Sequence, residues 1–150
     1  MPNEKDSGLE DNDQLMNGKL FEGDIILPKE VSPRTDEQMK LWPKGRVHYI
    51  ISDGLNSAAR EKINEAIEEF HQKTCIKFVP KRKKDKDYVH IVPHHDSCYV
   101  NYIGKKRSGG RQNVYLTPIC QRNKGDIQHE LMHVLGNEFL SSEFVLFIFF

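Results

Sequence analysis

Neither sign of charge dominates this chain. Its 22 lysines and arginines are matched by 22 aspartates and glutamates, so no net field draws it to nucleic acid or to a membrane surface. No apolar run approaches the ~20 residues that a membrane-spanning helix needs, and the closing Phe144 to Phe150 is far too short. The opening residues lack an apolar stretch behind a basic start, so no secretory signal is legible there. Cysteine is scarce and odd in number: Cys75, Cys98 and Cys120 leave at least one without a partner inside the chain. At 150 residues the length suits one domain with a modest core.

What is present divides into three stretches. Residues 1–40 are polar and acidic without periodicity and read as an extended leader, with one island of order at Phe21 to Leu27. From Leu41-Trp42-Pro43 the texture is that of a globular protein, with Trp42 a packing residue at its start. His48 to Ile51 reads as a strand closed by the turn Ser52-Asp53-Gly54. Ile63, Ala66, Ile67 and Phe70 recur at helical spacing, which predicts an amphipathic helix over 57–73 capped by Asn56 or Ser57. Ile76 to Val79, Tyr88 to Val92, Cys98 to Ile103 and Asn113 to Leu116 read as further strands, with a loop at Ser108-Gly109-Gly110. A second helix is expected from Gly125-Asp126 to Leu135, burying Ile127, Leu131, Val134 and Leu135 against the sheet and turning its other side to a cleft. The order implies an α+β fold with a mixed sheet. The basic run Lys81-Arg82-Lys83-Lys84, followed at once by Asp85-Lys86-Asp87, reads as a solvated loop rather than a heparin-type patch.

The second helix carries His129-Glu130-Leu131-Met132-His133-Val134-Leu135-Gly136. Histidines four apart share one face of a helix, so both imidazoles reach one metal ion. Glu130, beside the first of them, is placed to take a proton from a metal-activated water. Gly136 permits the sharp turn that ends such a helix. His94-His95-Asp96 is a lesser metal candidate and reads as a polar loop. His90 reads as a satisfied strand residue, and His48 and His71 carry no signal.

From Leu41 to Gly136 the chain resembles the astacin family of zinc metallopeptidases, within the metzincins. The resemblance rests on Leu41-Trp42-Pro43, Thr74 to Pro80, Ser97 to Gly104, Cys120 and the motif at His129 to Gly136. It implies the N-terminal lobe of a metzincin catalytic domain over 41–136, behind a propeptide-like leader over 1–40. It also implies that His129 and His133 bind Zn2+, that Glu130 is the general base, and that the reaction is hydrolysis of a protein or peptide substrate. Cys98 and Cys120 would pair, whereas Cys75 would join a C-terminal subdomain. Asp24, within Phe21-Glu22-Gly23-Asp24, would cap the metal in a latent form opened by cleavage near Arg34 or Lys40. An extended substrate would lie along the strand near Tyr99 to Tyr102. Secretion follows by family.

The longer form of the motif places a third histidine three residues after the glycine. Here that position is Phe139, with Glu138 and Glu143 as unconvincing substitutes. Residues 137–150 form an aberrant hydrophobic tail, expected to favour self-association. Its Phe, Leu, Ile, Val and Ser have thymine-rich codons, and Gly-Asn can be encoded with the GTAA of an intron start, so the segment reads as translated intron. The alternative function is therefore a catalytically inactive truncated isoform, inert or confined to binding.

Overall fold

A computed structural model describes residues 41–136. Five strands form one sheet in the order β2-β1-β3-β5-β4. They are β1 (Arg46–Ile51), β2 (Lys77–Pro80), β3 (Tyr88–Pro93), β4 (Tyr99–Val100) and β5 (Arg111–Leu116). All neighbours run parallel except β4, which pairs antiparallel with β5 at the edge. Helix α1 (Ser57–Lys73) links β1 to β2, and helix α2 (Lys124–Val134) follows β5. The α+β architecture inferred from the pattern is the one observed.

Register decides which side chains meet the helices, because successive residues of a strand point to opposite faces. Val47 pairs with Phe78, Tyr49 with Val89, and Ile51 with Ile91, which in turn pairs with Val114. These residues share one face and join the same apolar core as Ile63 and Phe70 of α1 and Ile127 and Leu131 of α2. Burying side chains of this size stabilises the fold by about 1.5–3 kcal/mol each. His48 belongs to the opposite face. Since β1 lies between β2 and β3, the loop 81–87 must cross over β1 on that opposite face. The approach of His48 Nε2 to the Asp85 carboxylate, 3.6 Å, follows from this crossing.

Helix α1 covers the residues that periodicity indicated, and Asn56 rather than Ser57 is its cap, accepting from the Ala59 N–H at 2.9 Å. The satisfied N–H is one of four that a helix start leaves without an internal partner. The expected strand over Cys98 to Ile103 is a two-residue strand instead. Past Val100 the Asn101 side chain takes the Asn113 N–H at 2.8 Å, and Gly104, at φ 67°, turns the chain toward α2. The expectations for the leader, the Phe21 to Leu27 island and the tail fall outside the described residues.

Candidate metal centre

Helix α2 starts at Asn123, whose side chain accepts from the Asp126 N–H, while Asp126 in the first turn complements the helix dipole. Its apolar residues Ile127, Leu131 and Val134 are buried as expected. The polar residues of its other side are largely buried too. Glu130 is 2% exposed and His133 is fully covered, so His129 alone of the three is partly open. The polar side of the helix is thus more covered than the pattern implied.

Contacts distant in sequence fix this helix. The Gly104 N–H donates to the His133 carbonyl at 2.9 Å, and the Trp42 indole N–H donates to the Val134 carbonyl at 3.0 Å. Both satisfy carbonyls that a helix end leaves open. Gln112, buried in β5, accepts from the Lys106 N–H and donates to the Gly104 carbonyl, holding the loop that reaches His133. Trp42 therefore does more than pack, and the roles of Gly104 and Gln112 carried no signal in the sequence. At the other end, Glu69 of α1 accepts from Gln128 at 2.7 Å and from Lys124 at 2.9 Å. Bonds from Lys124 and Lys73 hold the Glu69 carboxyl at about 2, well below the ordinary carboxylate range.

The two imidazoles converge. His129 Nε2 and His133 Nε2 lie 3.1 Å apart with their rings nearly perpendicular. Nitrogens bound tetrahedrally to zinc at ~2.05 Å sit about 3.3 Å from one another, so the observed spacing fits that ion. The Glu130 carboxylate completes a group whose donor atoms all lie within 4.8 Å of each other. Two imidazole nitrogens are donors that suit zinc, and the carboxylate beside them suits a base for a water bound there. A chain folded for packing alone has no reason to bury such a set together.

The other candidates resolve differently. His94 Nδ1 accepts the N–H groups of Asp96 and Ser97, and its ring packs on Tyr99 and Tyr115. That nitrogen closes a turn and is not offered to a metal. His95 and Asp96 form an exposed pair. His71 Nε2 accepts from the Phe78 N–H, tying α1 to β2. Cys98 and Cys120 form a disulfide, and Cys75 is a free, exposed thiol. Thr117 donates its hydroxyl to Cys98 Sγ at 3.0 Å. Asp24, Glu138, Phe139 and Glu143 lie outside the described residues.

Three comparisons with known proteins bear on the family of the chain. The family model of Astacin, a peptidase family, matches residues 34–139. Zinc metalloproteinase nas-13 of Caenorhabditis elegans is 50% identical over 95 residues, covering 63% of this chain and 20% of its own length. Zinc metalloproteinase nas-14 of the same organism is 34% identical over 152 residues, covering 83% and 30%. High choriolytic enzyme 1, a hatching enzyme zinc-protease from Oryzias latipes, superposes with a TM-score of 0.57 at 29% identity, over 71% of this chain and 52% of that one. The chain thus spans under a third of the length of the first two relatives.

Proposed function

This chain belongs to the astacin family, and from that premise we propose that it carries the metal-binding helix of a zinc-dependent endopeptidase. The observation that carries the reading is the 3.1 Å convergence of the His129 and His133 nitrogens beside the Glu130 carboxylate. His129 and His133 hold the ion. An ion held there would supply Lewis acidity, polarising a carbonyl and lowering the pKa of water toward ~7. Glu130 accepts the proton released by the attacking water and passes it to the departing amine. Its burial keeps that transfer away from bulk solvent, and its place next to His129 keeps it within reach of the reacting water. The edge strand β4 lies in the same part of the fold, and an extended peptide adds to such an edge through backbone hydrogen bonds. The substrate is accordingly a protein or peptide.

The disulfide Cys98–Cys120 favours an oxidising compartment and hence secretion. Asp24 is the proposed latent-form ligand, displaced when the leader is cut.

One observation favours a second reading. Phe139 occupies the position where the longer motif has its third histidine, and a catalytic zinc site normally has three protein ligands plus water. The second reading is a chain that holds zinc weakly and does not turn over substrate. A zinc titration paired with a peptide-cleavage assay separates the two. Stoichiometric tight zinc with chelator-sensitive cleavage supports the peptidase, and weak zinc without turnover supports the inactive form. In the peptidase, Glu130→Gln retains zinc while the cleavage rate falls by about 10²–10⁴-fold. Undiminished cleavage by this variant would remove Glu130 from the mechanism.

A further inference from the structure

The balanced charge of the chain conceals a separation of charges in space. Helix α1 packs on one face of the sheet and exposes Glu61, Glu65 and Glu68. The loop 81–87 crosses the other face and carries four lysines and one arginine against two aspartates. Both aspartates are engaged with other groups, the Asp85 side chain at 10% exposure and that of Asp87 at 40%.

Asp85 closes a tight turn. Its N–H donates to the Arg82 carbonyl at 3.0 Å, while its own carboxylate accepts from the Arg82 N–H at 2.8 Å and faces His48. Its side chain is only 10% exposed. The bond from the Arg82 N–H keeps this carboxyl below its ordinary range, so it stays ionised while it closes the turn.

Asp87 is engaged in the same way. It accepts from the Gly110 N–H at 2.7 Å and pairs at 2.9 Å with Lys105, which is itself 6% exposed. Gly109, at φ +75°, makes room for it, since a Cβ there would fall 2.6 Å from the Asp87 carboxylate.

The lysines of the same loop point the other way. Lys83 and Lys84 occupy the two middle positions of the turn closed by Asp85, and both are exposed, as is Lys86. Among the described residues, no carboxylate pairs with Lys83, Lys84 or Lys86, nor with the neighbouring Arg46. Beneath the turn is a cleft of about 360 Å³ lined by Trp42, Arg46, His48, Lys84, Lys86 and Lys105, together with the two engaged aspartates. With four cationic side chains against two carboxylates on its wall, the cleft has an excess of positive charge that attracts a multivalent anion.

We propose that this turn and cleft form a binding site for a sulfated polysaccharide, with Lys83, Lys84, Lys86 and Arg46 contacting its sulfates. The class follows from two observations. The disulfide favours an oxidising, extracellular-type compartment, where sulfated glycans rather than nucleic acids are the polyanions encountered. Of the two aromatic rings lining the cleft, Trp42 is buried beneath Lys105 and His48 is turned to the Asp85 carboxylate, so no open platform is offered on which bases would stack. The cleft shares Trp42 with the end of α2, but the lysines that contact the sulfates belong to the loop 81–87, and the proposal uses none of the residues of the metal centre.

The test is binding of a size-defined heparin oligosaccharide to the full chain at about 0.15 M salt, by calorimetry, with the His48 ring resonances followed by NMR. The intact chain should bind with an affinity that falls steeply with salt. The triple variant Lys83→Gln, Lys84→Gln, Lys86→Gln should lose at least about tenfold in affinity and show a flatter salt dependence. The control Lys62→Gln, on the exposed face of α1, should match the parent. Because the three lysines are exposed and make no buried contact, an unchanged melting transition for the triple variant is expected and certifies its fold. Chelation of metal should leave binding intact, and the His48 resonances should shift on binding. Failure of the parent to bind, equal binding by the triple variant, loss of binding on chelation, or stronger binding to duplex DNA, polyglutamate or anionic vesicles of matched charge would each overturn the proposal.

Discussion

The two helices of this fold were built under different demands. Helix α1 buries Ala59, Ile63, Ala66, Ile67 and Phe70 and leaves its polar residues in water or half-covered. Packing against the sheet accounts for every buried residue in it. Helix α2 is shorter and buries Gln128, Glu130 and His133 alongside its apolar residues. Burying polar groups is costly unless they are bonded, so packing alone does not account for α2. The difference teaches where to look for chemistry: the helix that buries more than its apolar stripe is the one that carries the site.

Three experiments break or sharpen this comparison. The largest effect is expected in α1, where Phe70→Ala empties the centre of the core and should cost about 3–5 kcal/mol of unfolding free energy. Denaturant titration reads the loss. Zinc stoichiometry should persist in whatever fraction stays folded, because Phe70 serves the frame and not the ion. If zinc were lost from folded Phe70→Ala, the division between framework helix and site helix would fail.

Next comes His133→Ala in α2. Removing one of two imidazole ligands should weaken zinc by at least about 100-fold, equivalent to roughly 2.7 kcal/mol. The matching change in α1, His71→Ala, should leave zinc affinity where it was. Competition with a chromophoric chelator measures both. Equal zinc affinity for parent and His133→Ala would place the ion elsewhere.

The smallest effect concerns the joint between the helices. Glu69 has a folded pKa of about 2 against an ordinary value of 4.5, because Lys124 and Lys73 bond its carboxylate. A carboxyl depressed by folding contributes its full stabilisation above the unfolded pKa and loses it as pH falls through the folded one. That stabilisation is therefore complete above pH about 5 and disappears progressively toward pH about 2. Glu69→Gln should lower stability near neutral pH and flatten its decline across that window. Denaturant midpoints of the metal-free chain at a series of pH values check this. Parallel curves for parent and variant would show that Glu69 joins the helices without contributing to their stability.

Much of the frame was legible in the chain because its signals are local. The 57–73 helix announces itself by period and by Asn56 as a cap, and β1, β3 and β5 by short apolar runs between turns. The strand expected at Cys98 to Ile103 stops short for a reason local reading misses: the Asn101 side chain, not its carbonyl, takes the Asn113 N–H, and Gly104 leaves the sheet to reach α2. The pairing of Cys98 with Cys120 followed from family resemblance, and the disulfide is present. The loop 81–87 was legible as a solvated basic run, and folding decided which partners its two aspartates take.

By itself the sequence determined the chemistry that can be attempted, because a helix places residues four apart on one face whatever surrounds it, and that puts two imidazoles beside a carboxylate. Only the tertiary structure decided how firmly the group is held and what lies around it. Trp42 reaches Val134 across 92 residues of chain, Gly104 reaches His133, and Asp87 withdraws to Lys105 and Gly110. Such partners are far apart along the chain, and no local period encodes them. They meet because the register of the sheet and the burial of the core bring them together.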